Sequence, residues 1–241
     1  MSGVGAANYQ SRKSTIRAWR DVGCACVALA VVSLVFVAPL PGGVEGASPT
    51  VATVRLTAME LANSGTVWAG IAVCAGWRIA RAGAGALAGV CAAEGALLIH
   101  YTLGIIFGVY EPGIIAENAV WLVLGVAACA PLGVCGWMAS WRGRSSGWRG
   151  RLNRVARLVV PVGAIVEPHA RGAFSSSLWG HVGPQQHAEV ASGVLLMLAG
   201  VCAAAWVLRK DRASTHARRA SSDTTCASID TARDSTDAGL A

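Results

Sequence analysis

Apolar residues in this chain come in long unbroken runs rather than in strict alternation. Gly23 to Leu40 (GCACVALAVVSLVFVAPL) is the first, and further runs cover residues 61–80, 83–104, 115–139 and 189–208. A helix of about 20 apolar residues crosses the roughly 30 Å hydrocarbon core of a bilayer, so each run predicts a membrane span. A shorter segment, Val155 to Glu167 (VARLVVPVGAIVE), has only 13 residues, about 20 Å of helix. By length alone it is an interfacial or re-entrant piece. Extended through Arg171-Gly172, it becomes a fifth crossing over residues 155–172. The predicted fold is therefore all-α, a polytopic transmembrane helical bundle of about six spans. The first run follows Arg12, Lys13, Arg17 and Arg20, as a signal peptide would. It is long, however, and ends in Pro39-Leu40-Pro41 without a small-residue cleavage site, so it reads as an anchor that stays.

The charges decide the count and the orientation. With six spans and both termini inside (N-in/C-in), the cytoplasmic stretches hold the four basic residues before the first run, then Arg78 and Arg81. Next come the arginines of 142–157, and last Arg209, Lys210, Arg212, Arg218 and Arg219. The outer loops then hold only Arg55 and Arg171. That is a strong positive-inside pattern. Without the fifth crossing, the basic loop and the basic tail fall on opposite sides. The predicted organisation is a cytoplasmic segment over 1–21, a helical bundle over 22–208 and a disordered cytoplasmic tail over 209–241. The tail is rich in Ser, Thr, Asp and Ala and lacks the apolar surface to offset chain entropy. The expected location is the plasma membrane, multi-pass, with the lipid bilayer as the first partner.

Composition agrees. Hydrophobic residues make up 54% of the chain and charged residues 14%, with a mean hydropathy of +0.51; a soluble domain carries about 25% charged residues. The net charge of +7 sits on residues that flank apolar runs, so no nucleic-acid partner is predicted. The loop Trp141 to Arg157 combines six arginines with Trp141 and Trp148. It serves as an ordinary positive-inside signal, with anionic lipid headgroups as the alternative partner. Eight cysteines without a CxxC read as small packing residues. Glu167, His169, His181, His187 and Glu189 invite a metal, but HVGPQQH matches no ligand spacing, and neither metal nor cofactor is predicted. No GxSxG, HExxH, GxGxxG or P-loop stands in context, so the chain is not expected to be an enzyme.

Three stretches carry a resemblance. LANSGTVWAGIAVCAGW (Leu61 to Trp77) has an Asn-Ser pair with a Trp four residues after the Ser. NAVWLVLGVAACAPLGVCGWMASWR (Asn118 to Arg142) has a Trp followed by a Gly-Pro-Gly span, and VPVGAIVEPHARG (Val160 to Gly172) has a late acid, Glu167. In these the chain resembles a family of uncharacterised bacterial multi-spanning membrane proteins, mostly from high-GC bacteria. The likeness covers roughly residues 55–175. It implies a fold type and a membrane location, and no activity.

The candidate polar site within the membrane is Glu94, Asn63, Ser64, Glu117, Asn118 and Glu167. Glu94 stands inside CAAEGALLIHYTLGIIFG, near the middle of the third run. At 100° per residue it shares a face with Val90, Leu97 and Tyr101, opposite a ridge of Gly85, Gly89, Ala92 and Ala96. An acid at that depth is either a proton or cation site in a passage, or a neutral group bonded to a neighbouring helix. His100 points away from it, toward another contact nearer the outer surface. Asn63 and Ser64 enter the second run, either as an interhelical hydrogen bond or as a polar contact to a solute. Glu117 and Asn118 precede the fourth run and read as helix caps. The expected function is that of a non-enzymatic structural or accessory membrane protein. The alternative is passage of a small solute or proton through a polar cavity at Glu94.

Overall fold

The computed structural model describes residues 3–38, 48–79, 81–141, 147–175 and 183–237, with side chains described over 15–213 of these. Glu45, His181 and the Arg142–Arg144 part of the basic loop lie outside the described residues. Two units are distinguished, residues 1–201 and 202–241.

Among the described residues there are eight helices and no strands: α1 Gly3–Val37, α2 Pro49–Ala62, α3 Gly65–Trp77, α4 Ala82–Ile106, α5 Ile114–Glu117, α6 Ala119–Ala139, α7 Trp148–Ala170 and α8 Pro184–Asp237. Four stretches are helical, long and apolar enough to cross a membrane: Thr15–Val37, Ala82–Ile106, Ala119–Ala139 and Pro184–Ala213. The all-α, membrane-type architecture is as the sequence pattern predicts, and α4 matches the third run closely.

Elsewhere the boundaries differ, for local reasons. The segment predicted as an outer loop contains α2. Ser48 is extended and accepts from the Val51 N–H, and Pro49 occupies the first helical position, where a missing N–H costs nothing. The predicted span 61–80 is not one helix. Asn63 ends α2, and Ser64, extended at φ −67° and ψ 141°, starts α3, a helix of only 13 residues. The predicted span 115–139 breaks at Asn118 into α5 and α6. The short fifth segment belongs to a helix of 23 residues that begins at Trp148. Helix α8 runs to Asp237, where composition predicts a disordered tail; no Gly or Pro occurs between Gly200 and that end to stop it.

α4 lies at the centre of the first unit, packed on α1, α3 and α6. Its core is built of small residues. Ala88, Ala92 and Ala96 are fully buried against Val22 and Cys26 of α1 and Ala75 of α3. A methyl added at Gly89 would stand 2.5 Å from the Cys129 carbonyl oxygen of α6. One added at Gly76 would overlap the Gly133 carbonyl, and one at Gly133 would overlap the Gly85 carbonyl. The hydrogens in those places therefore point at backbone oxygens. Such Cα–H···O contacts contribute about 0.5–1 kcal/mol each and need small residues on both sides. The outer face of α6 carries Val120, Trp121 and Val123, each exposed by more than 60%, as suits a helix bathed in lipid. Two chain reversals use glycine at positive φ. Gly108 and Gly172 end α4 and α7 with paired bonds, Val109 N–H to Gly104 O and Ala173 N–H to Pro168 O.

The glycine contact gives a stability prediction. Gly133→Ala should destabilise the protein by about 1–3 kcal/mol, because the obstacle is backbone that cannot step aside. Gly83→Ala, with nothing within 4 Å of the new methyl, should be neutral or stabilising. Thermal melts in one detergent compare them; equal melts would refute the close approach.

Candidate functional site

Two polar sites emerge. The first joins α2, α3 and α7 around Glu167. A helix start leaves four N–H groups without partners, and inside a membrane there is no water to take them. In α3 all four are met. Gly65 N–H donates to Glu167 Oε1 at 2.8 Å and Thr66 N–H to Oε2 at 2.7 Å. Val67 N–H donates to Ser64 Oγ at 3.2 Å, and the N–H of the capping Ser64 donates to the Leu61 carbonyl at 3.2 Å. The Thr66 hydroxyl adds a bond to Glu167 Oε2 at 2.5 Å. A carboxylate here also meets the positive end of the helix dipole. Arg171, one turn beyond Glu167 on α7, pairs with Glu60 of α2 and lies 3.5 Å from Glu167 Oε1. One carboxylate thus fixes the start of α3, and its neighbouring guanidinium ties α2 to the same point.

Asn63 and Ser64 stand at this junction in different roles. Ser33 of α1 donates to Asn63 Oδ1 at 2.8 Å, an interhelical bond of the predicted kind. Ser64 is fully buried and caps α3. Arg55 donates to the Phe36 carbonyl at 3.1 Å. Arg55 of α2 and Asn63 at its end thus both reach α1, at residues within one turn of each other. Asn118 corrects an expectation: its side chain does not cap α6 but donates back to the Ile114 carbonyl at 2.9 Å, bracing α5. Glu117 is exposed and lies within that turn.

The second site is Glu94. The ridge and the acid were expected on opposite faces, yet both meet α6 at different levels. Gly85 and Gly89 meet it near Gly133, and Glu94 lies against Gly125, where an added methyl would overlap Oε1. Glu94 is 9% exposed. Its Oε2 is closed off and has no hydrogen-bond partner. His100 makes a separate contact. Its Nε2 lies 2.8 Å from the Tyr110 hydroxyl and its Nδ1 3.4 Å from the Ala30 carbonyl. Burial holds the Tyr110 phenol above the usual tyrosine range, helped by Tyr101 beside it.

Two clefts among the described residues of this unit are notable. One, of about 240 Å³, is lined by Pro168, Arg171, Glu189, Ser192 and Leu196 among others. The other, of about 320 Å³, lies between α1 and α3. Glu94 lines neither. Among the described residues no three His, Cys, Asp or Glu side chains gather as metal ligands would. Residue-by-residue reading of the sequence missed Thr66 and Ser33 altogether. Ser64-Gly65-Thr66 before an apolar run was the available signal for a helix start. No family model, curated protein or solved structure matches the chain.

Removing the clamp should be costly. Glu167→Ala strands two backbone N–H groups and should lower stability by more than Thr66→Val, which removes one hydroxyl donor and should cost about 1 kcal/mol. Thermal unfolding in detergent ranks the two; an Ala variant as stable as wild type would mean that Glu167 does not hold α3.

Proposed function

We propose that the chain is a multi-pass plasma-membrane protein with a structural or accessory, non-enzymatic role. The observation that carries this reading is where its polar groups go. Glu167, Asn63 and His100 each bond another helix or loop of the same bundle, and Asn153 of α7 donates to the Met138 carbonyl of α6 at 2.6 Å. These are bonds that lock helices, and they leave few groups turned toward a solute. In this reading α1, α3, α4, α6, α7 and α8 cross the bilayer, α2 lies inclined at one surface, and both termini are cytoplasmic. The arginine distribution supports the orientation, and the basic 141–157 loop meets lipid headgroups on that side. The uncharacterised bacterial family that the chain resembles is its proposed kin.

Reporter fusions test the topology. Fusions after residues 150 and 212 should report cytoplasm, and one near Gly183 should report the outside. A cytoplasmic signal at Gly183 would remove the fifth crossing and, with it, the count of six.

A second reading rests on one observation: the unpartnered Oε2 of Glu94. In it, Glu94 takes up and releases a proton in a small-solute or proton passage. Purified protein in liposomes with an entrapped pH dye separates the two. The accessory reading expects proton flux no faster than in empty liposomes, for wild type and Glu94→Gln alike. Flux through wild type that Glu94→Gln abolishes would establish the passage reading instead, because an amide cannot titrate.

A further inference from the structure

The cleft between α1 and α3 is apolar along its length and charged at one end. Val22 and Ala25 of α1 face Ile71, Cys74 and Trp77 of α3 across about 320 Å³. The Asp21–Arg78 ion pair closes one end, with the Arg78 side chain 58% exposed. Charge there is not balanced. Arg20 lies 3.7 Å from Asp21 with its side chain 71% exposed, and Arg17 also acts on Asp21. Three guanidiniums therefore surround one carboxylate, leaving an excess of two positive charges. Trp77 flanks the same end and is half-exposed, as a Trp at a lipid–water boundary would be.

We propose that this cleft binds an anionic glycerophospholipid. The groove is too apolar to hold a soluble anion along its length, and too charged at its mouth to favour a zwitterionic lipid. An acyl chain lies along Val22, Ala25, Ile71 and Cys74, where it replaces contacts with bulk lipid. The phosphodiester sits on Arg17 and Arg20, exposed guanidiniums beside the mouth whose charge, with that of Arg78, exceeds what the single carboxylate of Asp21 balances. Arg78 stays with Asp21 and ties α1 to α3 at the mouth of the groove. The site is distinct from the 141–157 loop, and it does not depend on whether the protein is an accessory or a passage protein.

The test uses the full chain, stripped of lipid in detergent and then given phosphatidylglycerol, phosphatidylcholine or inorganic phosphate. Binding is read by native mass spectrometry and by the shift in thermal unfolding. Phosphatidylglycerol should bind at least about tenfold more tightly than phosphatidylcholine, a difference of about 1.4 kcal/mol, and phosphate alone should give no shift. Arg20→Gln should erase the preference for the anionic lipid. Ala25→Leu, which narrows the groove from an exposed position, should weaken both lipids. Should either variant fail to fold, the wild-type preference and its loss at high salt still decide the matter. Equal binding of the two lipids would overturn the proposal, as would a preference untouched by Arg20→Gln. Protection by phosphate equal to that by lipid would reduce the site to one for a free anion.

Discussion

Everything in the first unit is arranged around the approach of three backbones at Gly133. Its carbonyl meets Gly76 of α3, and Gly85 and Gly89 of α4 lie against its other side. Helices that pack through large side chains stay 8–10 Å apart; these are pressed closer by having almost none. In lipid this matters more than in water, because no hydrophobic effect drives helices together and packing must do it. Gly136 repeats the arrangement one turn along, against Val73. The position of α3 is set by this contact near its C-terminal end. Its other end then has to be satisfied where it falls.

That end is where Glu167 stands. α3 has 13 residues, about 20 Å, shorter than the roughly 30 Å of a hydrocarbon core. Its first N–H groups have no partner within the helix. The pairing with Glu167 answers that problem with two acceptor oxygens on a neighbouring helix. Arg171 and Glu60 then hold the carboxylate in place. The short helix, the acid and the guanidinium are one device, and α2 is fixed as a by-product.

The long apolar runs were legible because hydropathy is a sum over many residues and tolerates local exceptions. α4 was read nearly to its ends. The break at Asn63-Ser64 was not, because two polar residues in an apolar background look the same whether they hydrogen-bond across helices or start a new one. α2 was missed although Ser48-Pro49 signals a helix start, since its mixed composition did not register as a span. Glu167 was singled out, but its partners could not be: its bonds to Gly65 and Thr66 join residues 102 and 101 positions apart, and no period or spacing carries that information. The ridge on α4 and the acid were read on opposite faces; that one helix, α6, meets both Gly85-Gly89 and Glu94 was not legible, because a helix crossing another meets it with different faces at different levels.

Glu94 and Glu167 make an instructive pair. Both are acids in apolar surroundings, and the chain treats them oppositely. Glu167 receives three donors and a guanidinium. Glu94 has an oxygen with no donor at all, a condition that costs about 1–3 kcal/mol. A structural acid would be expected to collect partners, as Glu167 does, and an idle one would be replaced by Leu or Ala at a gain. Gly125 shows that the neighbourhood is fitted to the acid: Oε1 occupies the space where any side chain at 125 would begin. The facing helix thus gives up a side chain to make room for a carboxyl that it does not bond. If any group of this bundle does more than hold it together, Glu94 is that group.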